Sequence, residues 1–235
     1  MSLMRTSLVV LFLLPYSILA SVLGYPIARV LGSPALLYAL GQFGARTACR
    51  LAGVRVAFEG LENLRDHRNV VVMPNHVSHL DAAILFGLIP VPFKAVVKTE
   101  LYKFPFVHYC LRYAGFIEVD RREPGRSRAA IARAVASLQA GNCFIIFPEG
   151  TRSRTGELGE FKKGAFVVAI AAKSRVVPIA VQGADRLMPR GRFLIQPGAV
   201  RVRVLDPVDA ASYSYEDRLR LLGEVHGRIA AALAG

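Results

Sequence analysis

The hydropathy pattern divides the chain into two unlike parts. No charged residue occurs from Thr6 to Ala28, a stretch dominated by Val, Leu and Ile. A helix rising ~1.5 Å per residue over that length crosses a ~30 Å hydrocarbon layer. Pro15 stands in its middle, however, and Pro26 and Pro34 follow; an internal proline removes a helix hydrogen bond and clashes with the preceding turn. A second uncharged run, Val30 to Ala45, is too short to span comfortably. The pattern therefore predicts two short helices dipping into one leaflet, with both ends on the cytoplasmic face. A cleaved signal peptide fits less well, because the small-x-small pattern around Ala20 to Gly24 is poor; a buried core helix is the remaining reading.

Past Leu51, short apolar runs alternate with longer amphipathic ones. Strands are expected at Val54–Phe58, Val70–Met73, Phe93–Val97, Phe116–Val119, Phe144–Phe147, Val176–Val181 and Val200–Val204. Several are continuously apolar, as strands covered on both faces of a mostly parallel sheet are. Val200–Val204 instead alternates Val and Arg, which suits an edge or half-exposed strand. Helices are expected at Ser78–Leu88, Thr99–Tyr113, Arg126–Leu138, Lys162–Lys173 and Ser214–Leu233, the last opened by a capping box at Ser214–Asp217. The expected fold class is α/β, a mostly parallel central sheet flanked by helices. The expected organisation is an N-terminal membrane-anchoring helical segment over residues 1–50 and one α/β domain over residues 51–235.

Composition sharpens this picture. The 235 residues are 53% hydrophobic, with 30 Lys and Arg against 17 Asp and Glu, a net charge of +13. The hydrophobic share excludes a disordered chain, and a mean hydropathy of +0.38 suggests apolar surface that meets lipid. The charge asks for a polyanion: nucleic acid, an anionic membrane or a phosphorylated substrate. Nucleic acid is disfavoured, since basic residues are spread from Arg5 to Arg228 and no Trp is present to stack on bases. No Asp or Glu precedes Glu59, so the N-terminal part suits an anionic bilayer. Cys49, Cys110 and Cys143 show no CxxC spacing and read as buried thiols in a reducing compartment.

Three clusters carry chemistry. Asn75-His76-Val-Ser-His79-Leu-Asp81 directly follows a strand, where α/β sheets place active sites. On a regular helix His76 and Asp81 would diverge by ~140°. If His76 sits in the loop, its ring folds back to Asp81, whose carboxylate sets the tautomer and leaves the other nitrogen as a general base. Ser78-x-x-Asp81 is equally a capping box, and His76, His79 and Asp81 are equally candidate metal ligands. The second cluster, Phe147-Pro-Glu149-Gly150-Thr151-Arg152, ends another strand. There Gly150 permits close backbone approach to an oxyanion, and Arg152 offers a fork to phosphate; a plain surface turn with Arg152 paired to Glu149 is the simpler alternative. The third cluster ends at Asp120-Arg121-Arg122, and Lys98 stands likewise past a strand. Cations after three strands can converge on one rim.

In their order, Asn75-His76 with Asp81, Gly115-Phe-Ile-Glu-Val-Asp-Arg121 and Phe147-Pro-Glu-Gly-Thr-Arg152 resemble three sequence blocks of the PlsC-type glycerolipid acyltransferases, the 1-acyl-sn-glycerol-3-phosphate acyltransferase family. Val177-Pro178 resembles the fourth block, and the resemblance covers roughly Leu61 to Val181. It implies transfer of a fatty acyl group from acyl-CoA or acyl-carrier protein to the sn-2 hydroxyl of lysophosphatidic acid, giving phosphatidic acid at the cytoplasmic face of the inner membrane. His76 is then the catalytic base and Asp81 its orienting partner. Lys98, Arg121, Glu149, Gly150, Thr151 and Arg152 form the substrate-binding set, with oxyanion donors near Gly150. The expected transfer is direct, with no acyl-enzyme, no metal and no bound cofactor; the partners are the lysolipid, the acyl donor and the bilayer, not nucleic acid. The alternatives are another lysolipid acceptor, a membrane-associated metallohydrolase built on His76, His79 and Asp81, or a non-enzymatic binder of anionic lipid. A serine lipase is disfavoured by the absence of a GxSxG elbow.

Overall fold

A computed structural model describes residues 2–99, 102, 106–119 and 124–235. The chain opens with α1 (Ser2–Val30) and α2 (Ala35–Ala52), which form a helical hairpin. Two helices occupy the segment where two were expected, but the first is not short: α1 has 29 residues and runs through both Pro15 and Pro26. Packing offsets the local loss: Phe12 stacks on Tyr16, Tyr16 meets Phe43, and the Tyr16 hydroxyl donates to the Leu40 carbonyl at 2.7 Å. Small residues bring the helices close. A Cβ on Gly44 would stand 2.6 Å from the Tyr16 ring, and one on Gly24 2.6 Å from a Leu40 methyl. Of α1 only Val9, Ser21, Gly24 and Ala28 are buried. It is long and apolar enough to cross a membrane by length and composition.

The body follows as β1 (Val54–Glu59), β2 (Val70–Pro74), α3 (Leu80–Leu88), β3 (Lys94–Lys98), α4 (Val107–Tyr113), β4 (Ile117–Val119), α5 (Pro124–Gln139), β5 (Cys143–Ile145), α6 (Lys163–Ala171), β6 (Arg175–Gln182), α7 (Ala184–Leu187), β7 (Gly198–Val204), β8 (Val208–Asp209) and α8 (Arg218–Ala234). The sheet runs β1-β7-β6-β2-β5-β3-β4, with β8 paired to β6. All pairings are parallel except β6 with β7 and β6 with β8. This is the mostly parallel sheet the continuous apolar runs predict.

Alternation along β2 shows why those runs carry no polar face. Val70 and Val72 join one core with Ala48 and Ala52 of α2 and Ile84 and Leu85 of α3. Val71 and Met73 join a second core with Ala134 of α5, Phe166 of α6 and Leu221 of α8. The boundary expected at residue 50 lies inside α2, whose last turns belong to the first core.

The expected strands all occur. β7 alternates as expected and is half-exposed, although not an edge, since it lies between β1 and β6. Its outward Arg201 and Arg203 instead pair with Glu59 at 3.5 and 3.4 Å. The helix expected from Thr99 begins at Val107, where Phe106 stands at φ +63°, outside helical backbone space. Asp217 does reach back to the Ser214 N–H, at 3.0 Å, but the helix starts only at Arg218 and the Asp217 side chain makes no capping hydrogen bond to it.

Candidate functional site

The site forms where β2 and β5 release their carboxyl ends side by side, as open α/β sheets do. Asn75 is buried and clamps the end of β2 to β6: its Oδ1 accepts from the Val181 N–H at 2.7 Å, and its Nδ2 donates to the Val181 carbonyl at 3.0 Å. The next four residues therefore leave the sheet as a loop, and α3 begins only at Leu80. His76 stays off the helix and its ring turns back toward Asp81.

Asp81 is fully buried, in the first turn of α3. Its Oδ2 accepts from His76 Nδ1 at 2.7 Å and from the Val77 and Ser78 N–H groups, both at 2.8 Å. Two backbone donors beside a helix N-terminus fix this oxygen as an acceptor. It therefore takes the Nδ1 proton as a hydrogen bond, which directs the basic lone pair of the ring to Nε2. The capping and His-pairing roles are not alternatives here; one carboxylate oxygen performs both.

Two further contacts hold the imidazole. Phe147 stacks on it with centroids 4.1 Å apart. Below, Glu149 is buried, its Oε1 accepting from the His76 N–H at 2.7 Å and its Oε2 from the Gly159 N–H at 3.2 Å. Gly159 is required for that approach, since a Cβ there would stand 2.7 Å from Oε2. Burial, opposed by these two N–H groups, holds the Glu149 carboxyl above its ordinary range. The His76 carbonyl in turn accepts from the Ser153 N–H at 2.8 Å, so the two clusters are laced backbone to backbone.

Gly150 stands at φ +70°, in the left-handed region, and its N–H donates to the Phe147 carbonyl at 3.0 Å. It closes the turn that carries exposed Thr151 and half-buried Arg152. Arg152 makes no ion pair with Glu149 or any other described residue. Its Nη1 is buried without a hydrogen-bond partner. Burial, then the nearby Arg190 charge, lowers its affinity for a proton. His79 is exposed at the start of α3; partial burial, then Arg152 and His76, push its pKa below the ordinary histidine value. Lys98 ends β3, paired with Val119 of β4, and its side chain lies outside the described residues, as does Arg121. The structure thus brings together His76, Asp81, Glu149, Gly150, Thr151 and Arg152.

Asn75, Ser78 and Phe147 stand in the quoted clusters, but their roles depend on distant partners. Ser78 Oγ donates to the Met188 carbonyl at 2.8 Å, a contact no local spacing signals. No group of three His, Cys, Asp or Glu side chains among the described residues could hold a metal ion, so His79 does not complete a ligand set with His76 and Asp81.

The sequence of residues 55–182 matches the family model described as acyltransferase. A chloroplastic 1-acyl-sn-glycerol-3-phosphate acyltransferase from Arabidopsis thaliana is 36% identical over 66% of this chain and 44% of its own length. The enzyme of that name from Borreliella burgdorferi is 28% identical over 76% of this chain and 72% of its own. The chain thus spans less than half of the plant relative. The crystal structure of the 1-acyl-sn-glycerophosphate acyltransferase PlsC from Thermotoga maritima superimposes with a TM-score of 0.81 at 27% identity, over 99% of this chain and 96% of that one.

Proposed function

The chain belongs to the acyltransferase family, and from that premise we propose that it moves a fatty acyl group from an acyl-CoA or acyl-carrier-protein thioester to the sn-2 hydroxyl of lysophosphatidic acid. The observation that carries the reading is the 2.7 Å contact of His76 Nδ1 with a carboxylate already fixed by two backbone donors. That arrangement orients the ring through Nδ1 and leaves Nε2 as the nitrogen available to a substrate hydroxyl, as a general base requires. His76 takes the proton of the acceptor hydroxyl as the oxygen attacks the thioester carbonyl, and Asp81 stabilises the imidazolium that forms. The carbon–sulfur bond breaks, and the thiolate leaves with the proton returned from His76. No acyl-enzyme is needed.

Because the Gly150 N–H is engaged by Phe147, the developing oxyanion falls to other donors of the turn. The N–H groups of Thr151 and Arg152 have no partner among the described residues. Arg152, with Lys98 and Arg121, meets the acceptor phosphate, while Glu149 positions His76 and the turn. The apolar outer face of α1 anchors the protein to the membrane, with the site at the cytoplasmic face of the inner membrane.

The test is acyl transfer to lysophosphatidate by full-length protein in mixed micelles. His76→Ala should lower kcat by ~10²–10⁴-fold with fold and membrane association unchanged. Retention of more than a few per cent of activity would remove the base from the mechanism.

A further inference from the structure

The segment that follows β6 touches both halves of the site. Ser78 is tied to Met188, and Arg190 Nη1 donates to the carbonyl oxygen of Arg152 at 2.6 Å. Both partners lie beyond residue 182, past the stretch that matches the family model. Arg190 is exposed and has no carboxylate partner among the described residues. It lines, with Arg152 and Arg154, a cleft of about 340 Å³ that also includes Glu149, Thr151 and Ser153. Glu157 and Glu160 line the same cleft without an ion pair to Arg190 among the described residues. Arg152 Nη1 is buried and unpartnered.

Two neighbouring guanidinium groups repel, and the buried N–H lacks an acceptor. An anion with nearly two charges relieves both. At neutral pH a phosphomonoester carries ~−1.5 to −2 and three acceptor oxygens. A phosphodiester carries one charge, and its second ester substituent takes the place of the oxygen a second fork would grip.

We infer that Arg190 is a specificity-determining residue which, together with Arg152, selects phosphomonoester lysolipids over phosphodiester ones. The inference rests on the lysophosphatidate reading above. Arg190 also braces the turn through the Arg152 carbonyl, so charge and bracing must be separated. Arg190→Gln keeps an N–H donor for that carbonyl and removes the charge; Arg190→Lys keeps the charge and loses the fork.

With full-length protein in mixed micelles, Arg190→Gln should raise KM for lysophosphatidate ~10-fold or more while kcat stays within ~2-fold. KM for lysophosphatidylglycerol should not move, and Arg190→Lys should recover most of the loss. Equal losses on both acceptors, or a loss confined to kcat, would show that Arg190 only braces the turn and would overturn the inference. A second measurement does not depend on turnover. Glycerol 3-phosphate should raise the Tm of the wild type but not of Arg190→Gln, and glycerophosphoglycerol should raise neither. Absence of the wild-type shift would also overturn the inference. A protein that shows this shift yet acylates no lysolipid would sink the acyltransfer reading and leave the anion site standing.

Discussion

At the scale of single residues, the site is held by carboxylates that face backbone donors. Asp81 and Glu149 each accept two backbone N–H groups, and both act on His76, one through its ring and one through its amide. Glu149→Gln places an NH₂ group against one of two N–H donors, so His76 or the turn at Gly159 must shift. A displacement of that order should lower kcat ~10–100-fold with a smaller change in KM; unchanged kcat would mean that Glu149 does not position the base. The same residue gives a pH signature. Burial raises the folded-state carboxyl above its ordinary 4.5. Folding then favours the protonated form, so this contribution to stability is full below 4.5 and is lost as pH rises through the folded value. The Tm difference between wild type and Glu149→Gln should therefore shrink as pH rises across that window. A difference that grows instead would contradict the assigned direction.

At the scale of elements, the helix that carries Asp81 is packed against the hairpin. Gly87 of α3 lies against Ala45 of α2: a Cβ on Gly87 would stand 2.4 Å from the Ala45 Cβ, and the Gly87 carbonyl accepts from Arg46 Nε at 2.8 Å. Neither short side chain can rotate away, so the helices must separate. Gly87→Ala should cost ~1–3 kcal/mol, or ~2–10 °C in Tm, and lower kcat because Asp81 moves with α3. Normal Tm and activity would show that the contact tolerates a methyl group.

Elements were unequally legible in the sequence. The seven longer strands announce themselves by apolar runs, because each is covered on both faces or alternates in and out. α7 has four residues and β8 two, about one period of their patterns and too short to repeat, and neither was expected. The prolines of α1 argued for a break because a local rule counts the lost hydrogen bond and omits the packing of Tyr16 against α2.

At the scale of the whole molecule, α1 turns its apolar side away from the protein. Leu11 is 70% and Leu14 61% exposed, although they stand in the most hydrophobic stretch of the chain. Burying such a face in lipid recovers ~25 cal/mol per Å². Leu11→Asp with Leu14→Asp should therefore sharply reduce cosedimentation with anionic vesicles. Tm and turnover in detergent micelles should stay near wild type; undiminished vesicle binding would locate the membrane contact elsewhere.

The hairpin is also joined to the catalytic body. Tyr113 donates to the Ala28 carbonyl at 3.1 Å, Tyr38 to the Ala114 carbonyl at 2.9 Å, and the Ile195 N–H to Thr6 Oγ1 at 2.9 Å. The hairpin and the site therefore keep a set distance.

The sequence by itself determined the fold class and the apolar N-terminal run, which follow from periodicity, and offered His76, Asp81, Glu149 and Arg152 as candidates, through residue types at short spacing after strands and the family blocks they resemble. Tertiary structure alone decided that Asn75 clamps β2 to β6, that Glu149 spans from His76 to Gly159, and that Arg190 comes to rest beside Arg152. Those contacts join residues 10 to 106 positions apart. Chain connectivity carries no local signal of them, and the sheet order brings them together.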